Sequence, residues 1–208
     1  MPDRPDRTAK SVAGKRVTEL GEYRLLERIR ARVPPAPSWV MIGIGDDGAV
    51  IEPARGRLDV VTTDAMVEGV HFDRAFVTPA DLGYKALAIN LSDLAAMGAE
   101  PRVGVLSLFL PPDLTLDDLD RLLDGLLGLA GQHHLELVGG NLTRSPGPLC
   151  IDITAIGTVR RRTVLTRKGA RPGDGLYVTG AIGNAAAGLE WLKTQGQTPD
   201  TGTEMASC

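Results

Sequence analysis

Apolar residues recur every three or four positions in two long stretches of the chain, which predicts two amphipathic helices. The first is predicted to begin after the Thr-Pro pair at 78–79, a hydroxyl N-cap with proline at the first helical position, and to end near Met97. The second is predicted to begin after the N-cap Thr115 and to end near His133. A shorter helix is predicted to begin at Gly21 and to end at the prolines that follow it.

Apolar and β-branched runs between these helices predict buried strands. The predicted strands cover residues 39–44, 49–51, 58–63, 103–110, 136–138, 149–159 and 175–179, and a last helix covers 183–192. Strands and helices alternate loosely along the chain. This pattern predicts the α+β class.

The predicted elements divide the chain into four parts. Residues 21–160 hold most of the strands and both long helices, so they are predicted to form an N-terminal α/β domain. Residues 161–193 hold one strand and one helix, too little to bury a core, and are interpreted as the incomplete start of a second α/β domain. Residues 1–20 and 194–208 are polar and lack periodicity, so we expect a disordered tail at one end and an unstructured tail at the other.

Composition adds limits to this picture. The 208 residues carry a formal net charge of −3, which gives no reason to expect nucleic acid or an anionic membrane as a partner. No run reaches the ~18 apolar residues of a membrane span, and no apolar signal core begins the chain, so a cytoplasmic protein is expected. Cys150 and Cys208 do not form a disulfide or zinc framework.

Three acidic segments suggest a metal site. Residues 43–48 read GIGDDG. Thr62–Thr63–Asp64 stands at the end of the strand predicted over 58–63, and Asp93 ends the segment NLSD. Carboxylate and hydroxyl oxygens suit hard cations such as Mg²⁺. Taken singly, an Asp-Gly pair is usually a turn and a strand-end hydroxyl usually a cap. Their joint occurrence favours convergence on one metal-binding cleft.

Other candidate residues are weaker when taken alone. His71 follows a glycine turn, and a lone histidine is more often structural than functional. Arg167 lies in a basic loop with glycine, where a solvated arginine is the commoner case. The chain lacks the GxxxxGK[ST], GxGxxG and nucleophile-elbow signatures. If the protein binds a nucleotide, a different architecture holds it.

These segments together resemble the bacterial thiamine-monophosphate kinase family, within the superfamily that includes aminoimidazole ribonucleotide synthetase. The resemblance extends from Gly21 to about Leu192, and the block at 85–99 is its most specific part. The segments that carry it are GIGDD at 43–47, TTD at 62–64, GVHF at 69–72, YKALAINLSDLAAMGA at 84–99, and LTR to PGD at 165–174.

The resemblance implies an ATP-dependent kinase that phosphorylates thiamine monophosphate to thiamine diphosphate with several Mg²⁺ ions. It implies an ATP- and Mg-binding N-terminal domain whose mixed sheet pairs across a homodimer, followed by a second α/β domain. His71 would bind the substrate, while Gly140, Asn141 and Arg167 would bind ATP. The implied metal ligands are Asp47, Thr62, Thr63, Asp64, Asp93 and Asn141. Since phosphoryl transfer to a phosphate needs charge screening and positioning, no general base is named.

Two departures from the family pattern keep a second hypothesis open. Asn141 stands where the family has aspartate, so one negative charge is lost and metal affinity should fall. The family continues beyond Leu192 with SDG and GED motifs that this chain lacks, so we expect a C-terminally truncated chain. The alternative is a catalytically impaired or inactive metal- and nucleotide-binding dimerisation module.

Two related families match the sequence less well. Selenophosphate synthetase is disfavoured because no cysteine precedes the double-Asp turn, and Cys208 lacks the context of the hydrogenase-maturation protein's terminal cysteine.

Apolar residues of the incomplete second domain, around Val178, Ile182 and Leu189, are expected to promote aggregation or dimerisation.

Overall fold

A four-stranded mixed sheet forms the centre of the computed structural model, which describes residues 14–195. Its strand order is β3-β6-β4-β5; β6 pairs antiparallel with both β3 and β4, while β4 and β5 are parallel. A separate two-stranded sheet pairs β1 with β2. The strands are β1 (Val40–Ile42), β2 (Val50–Ile51), β3 (Leu58–Val67), β4 (Glu100–Leu110), β5 (Glu136–Arg144) and β6 (Cys150–Val159). The helices are α1 (Glu22–Arg30), α2 (Pro79–Ala96), α3 (Leu116–Gln132) and α4 (Asn184–Gln195). The predicted α+β class is confirmed.

Successive side chains of strand β6 lie alternately on a packed face and on an open face of the sheet. Ile151, Ile153 and Ala155 are buried in the core that the sheet forms with the helices. The alternate residues Asp152 and Thr154 lie on the opposite face and are only partly buried. Because side chains alternate along a strand, each residue paired with β6 is also assigned to one of these two faces.

Helices α2 and α3 approach each other closely at two glycines. A Cβ added to Gly83 would lie 1.9 Å from the carbonyl oxygen of Leu122, and one added to Gly125 would lie 1.9 Å from that of Ala80. No side chain fits at either position without moving the helix backbones. Both helices begin at the predicted threonine N-caps, where Thr78 accepts from the N–H of Asp81. The close contact therefore fixes the position of α2 relative to α3.

The segment just before α1 packs against the domain at Val17. Val17 is 3% exposed, and its N–H donates to the carbonyl of Leu114 at 2.9 Å. Helix α1 is held to α3 by Arg28 and Arg32, which both pair with the buried Asp120. The expected disordered tail over 1–20 is thus too long at its C-terminal end, since Val17 fills an apolar site. Residues 1–13 of that tail, and 196–208 of the other, lie outside the described residues.

Several strand predictions differ from the structure in length or existence. Strand β3 extends to Val67 and β5 to Arg144, because pairing with neighbours continues the strands through polar residues. The strand predicted over 175–179 does not form. Leu176 and Tyr177 are 100% and 92% exposed there, so the segment has no neighbouring strand or core among residues 14–195. The expected apolar exposure at Val178, Ile182 and Leu189 is present. Within residues 14–195, no helix combines the length and apolar character needed to cross a membrane.

We expect Gly125→Ala to lower the free energy of unfolding by about 1–3 kcal/mol, because the new methyl group forces α2 and α3 apart. Gly128→Ala is the matched control, since it lies in the same helix with no atom within 4 Å of the added Cβ. It should raise the stability by up to about 1 kcal/mol through helix propensity alone. Urea unfolding of both variants measures the difference. Equal effects of the two substitutions would contradict the close-contact interpretation.

Candidate functional site

Strand β3 and helix α2 bring two of the predicted metal ligands, Thr62 and Asp93, into contact. Thr62 and Asp64 lie on the side of β3 that also carries the buried Met66. The Thr62 hydroxyl donates to Asp93 Oδ2 at 2.8 Å. Asp93 belongs to the last turns of α2, inside the helix predicted to end near Met97. The predicted strand end at Thr63 is wrong, because β3 continues to Val67 and Thr62, Thr63 and Asp64 lie in the interior of this edge strand.

The structure places Thr63 on the opposite face of the same strand. Its hydroxyl donates to Asp152 Oδ1 at 3.1 Å and accepts from the Thr154 hydroxyl at 3.0 Å. Thr63 is therefore separated by the sheet from Thr62 and Asp93. Asp152 is not among the site residues predicted from the sequence. The sequence signal for it is that a carboxylate interrupts an otherwise apolar or β-branched run.

Asn141 lies on this open face too, at the far edge of the sheet. It is paired with Ser107 on β4, which in turn is aligned with Asp152 on β6. Three strand spacings separate β5 from β3, which amounts to about 14 Å. Asn141 therefore does not join Thr63 or Asp64 within one chain.

Gly140 allows the close backbone approach that positions Asn141. A Cβ at Gly140 would lie 1.9 Å from the carbonyl oxygen of Leu106, so only glycine fits. Arg167 lies two residues after Leu165, whose N–H donates to the Met97 carbonyl at 3.1 Å. The start of the Arg167 loop is thus anchored near the end of α2, and Arg167 itself is exposed.

Asp47 lies in the turn between β1 and β2 and is exposed. Its N–H donates to Asp46 Oδ1 at 2.9 Å, which is a turn-forming contact. Gly45 has a φ of +121°, and the Arg30 guanidinium occupies the space a Cβ would need. The structure shows the predicted tight turn and gives Asp47 no contact with Asp64 or Asp93.

The chemistry of the ligand set fits Mg²⁺, although the set is incomplete. Among residues 14–195, no three His, Cys, Asp or Glu side chains are close enough together to hold a metal ion. Mg²⁺ in phosphate-transferring sites is commonly bound by one or two carboxylates, with water and substrate phosphates as the other ligands. The Asp93 carboxylate accepts from the Thr62 hydroxyl, and the Asp64 carboxylate lies two residues further along the same side of β3. That arrangement suits a metal ion that arrives with a phosphorylated ligand.

A network of hydrogen bonds shapes the loop that carries His71. The His71 Nδ1 accepts from the N–H of Val67 at 3.1 Å, so Nε2 carries the proton of the neutral ring. Lys85 of α2 donates to the His71 carbonyl at 3.0 Å. Arg74 then links Glu68 at 2.6 Å to Asp113 at 2.8 Å. The loop is therefore held at both ends, and His71 itself is exposed.

A sequence profile described as AIR synthase related protein, N-terminal domain, matches residues 45–159, which is more than half of the chain. The chain belongs to this family. Thiamine-monophosphate kinase of Escherichia coli (strain K12) is 43% identical over 180 residues, covering 86% of this chain and 54% of that protein.

Two solved structures are similar to the fold. Thiamine-monophosphate kinase from Stenotrophomonas maltophilia K279a has a TM-score of 0.76 and 41% identity, covering 90% of this chain and 58% of that one. AaThiL complexed with AMPPCP and TMP has a TM-score of 0.65 and 34% identity, covering 89% and 57%. The chain spans about half the length of the curated relatives it matches.

We expect Arg74→Gln to loosen the His71 loop and to raise the pKa of Asp113. The hydrogen bond from Arg74 holds the pKa of Asp113 below its ordinary value. A lowered pKa in the folded state contributes stability above the ordinary pKa, and this contribution is lost as the pH falls through the folded pKa. NMR titration of Asp113 should show the upward shift in the variant.

Hydrogen exchange provides the second measurement of this network. The amide of Leu149, which donates to Glu68 Oε2 at 3.1 Å, should exchange faster in Arg74→Gln at neutral pH. Arg121→Gln is the control, because its pair with Asp117 lies on the exposed surface of α3. If both variants leave the Leu149 amide unchanged, Arg74 does not hold the loop.

Proposed function

We propose that this chain contains the Mg²⁺- and ATP-binding domain of a thiamine-phosphate kinase. The reaction would join the γ-phosphoryl group of ATP to the phosphate of thiamine monophosphate, giving thiamine diphosphate and ADP. The observation that carries the proposal is the placement of Thr62, Asp64 and Asp93 on one side of β3, in a chain similar to thiamine-monophosphate kinases over 86% of its length. A cytoplasmic location is kept as part of this proposal.

The chemistry of the transfer suits such a site. An oxygen of the thiamine monophosphate phosphate attacks the γ-phosphorus, and the bond from that phosphorus to the β–γ bridging oxygen breaks. Several negative charges meet in this step, and bound Mg²⁺ would screen them. Asp64 and Asp93 would hold the metal, and Asp47 would join it if its turn closes over the site. No proton-abstracting side chain is required.

His71 is proposed to bind the phosphate of thiamine monophosphate. With Nδ1 engaged by the Val67 N–H, the Nε2–H is left to donate to an anionic oxygen. Gly140, Asn141 and Arg167 are proposed to bind ATP. AaThiL complexed with AMPPCP and TMP supports ATP and thiamine monophosphate as the two substrates.

A homodimer is proposed to complete the site. Thr63 and Asn141 share the open face of the sheet but lie at opposite edges, so one chain does not bring both to one ligand. The same face exposes apolar side chains, including Val61 at 63% and Phe109 at 38%. Strand β3 is an edge strand that a second copy can approach. Pairing of two open faces would bury these residues and shorten the distance between the two ligand sets.

The alternative function is a metal- and nucleotide-binding dimerisation module that does not turn over substrate. Asn141 favours it, because a neutral amide replaces the family's carboxylate at a proposed metal position. Binding of a divalent metal would persist in such a module with lower affinity.

Turnover of thiamine monophosphate with ATP and Mg²⁺ tests the main proposal. We expect the chain to form thiamine diphosphate, Asp64→Asn to lower the rate by about 100-fold or more, and Asn141→Asp to raise it. Asp117→Asn is the control, since Asp117 lies on the exposed surface of α3, outside both the proposed metal site and the open face of the sheet. It should change the rate by less than about twofold.

The outcomes separate the two functions. Absence of product from both the unchanged chain and Asn141→Asp, in folded samples, would show that the chain is not itself an active kinase. Mn²⁺ binding that is lost in Asp64→Asn without any turnover would then support the binding module.

Sedimentation velocity tests the proposed dimer. The chain should sediment as a dimer, and Val61→Asp should convert it to a monomer because a charge enters the buried apolar face. Val70→Asp is the control, since Val70 is 74% exposed in the loop after β3. A monomeric unchanged chain would contradict the proposal.

A further inference from the structure

Five arginines surround a cleft at the beginning of β3 and the end of β6. The turn at 55–57 precedes Leu58, and the turn at 160–163 follows Val159; the two turns meet because Leu58 and Val159 are paired. The cleft has a volume of about 490 Å³. It is lined by Arg55, Gly56, Arg57, Arg160, Arg161, Arg162 and Thr163, and is called the arginine cleft below.

Most of the positive charge in the arginine cleft is not neutralised by neighbouring carboxylates. Arg57 pairs with Glu100 at 2.7 Å and donates to the Thr158 carbonyl at 3.1 Å. Among residues 14–195, the four other arginines form no salt bridge. Arg55, Arg160, Arg161 and Arg162 are exposed and concentrate positive charge on two adjoining turns, although the chain as a whole carries a net charge of −3. A bound anion would neutralise this local charge.

The shape and lining of the cleft limit the class of anion. Its volume falls within the range of about 300–1,000 Å³ that is typical of small-molecule sites. No aromatic side chain lines it, so a base or ring has no stacking surface. The sequence pI of about 5.6 lies far below the value above about 9 that is typical of nucleic-acid-binding domains. Each guanidinium group can donate two parallel hydrogen bonds to the oxygens of one phosphate group. Several such groups lining one cleft favour a ligand with several phosphate groups.

We propose that the arginine cleft binds a compact polyphosphate anion, for which inorganic triphosphate is the simplest example. The cleft differs from the proposed kinase site. Val67, which precedes the His71 loop, lies about 30 Å along β3 from Leu58, and Asp64 lies about 20 Å from it. Arg167 follows the lining residue Thr163 by four positions but does not itself line the cleft. The lining therefore shares no residue with the proposed kinase site, and the proposed anion site does not depend on the transfer reaction.

Calorimetric titration with inorganic triphosphate, at low salt and with EDTA present, tests the proposal. EDTA removes divalent metal, so the proposed Mg²⁺ site does not contribute. We expect saturable binding that is at least about tenfold weaker in Arg55→Gln/Arg162→Gln. The second pair, Arg160→Gln/Arg161→Gln, should weaken binding in the same way and provides the test if the first pair perturbs folding.

A charge-matched control separates a site from a general charge effect. Arg24→Gln/Arg121→Gln also removes two positive charges, but from helix surfaces outside the cleft; it should leave the affinity within about twofold. Equal weakening by the control, equal affinity for citrate, or no binding by the unchanged chain would each overturn the proposal. Asp64→Asn should bind triphosphate normally even if kinase turnover is absent, so failure of one proposal is distinguishable from failure of the other.

Discussion

The close contact between α2 and α3 is the constraint on which the rest of the structure depends. Gly83 and Gly125 let the two helix backbones meet, and larger residues at these positions would separate them. Helix α2 carries Asp93 towards Thr62 and Lys85 towards the His71 loop. A shift of α2 would therefore move both parts of the candidate site at once. The packing of the two helices therefore holds this geometry.

The sheet assigns the candidate ligands to two different surfaces. Thr62 and Asp64 face α2, whereas Thr63 and Asn141 lie on the open face with Asp152. This division gives a physical reason for the proposed dimer, because an open apolar face and an incomplete ligand set occur together. The arginine cleft lies at the opposite end of β3 from the His71 loop, where β3 begins and β6 ends.

Much of the fold was predictable because its signals are local. The N-caps Thr78 and Thr115 and the leucine periodicity predicted α2 and α3 to within about a turn. Strand lengths were less predictable. Strand β3 continues beyond its predicted end at Thr63 to Val67 because β6 pairs with it along its whole length. The segment at 175–179 shows the reverse case. It has a strand-like composition, but no partner among the described residues stabilises it as a strand.

The sequence by itself determined the residue types of the candidate site, its glycine turns and the helices that support it, because these depend on side-chain chemistry and local backbone preference. Only the tertiary structure decided which of those residues meet. Asp93 reaches Thr62 through helix packing, Asn141 is held three strands away from β3, and Asp152 joins Thr63 through strand register. Contacts between residues distant in sequence depend on packing and pairing, and a single chain's residue pattern does not specify them.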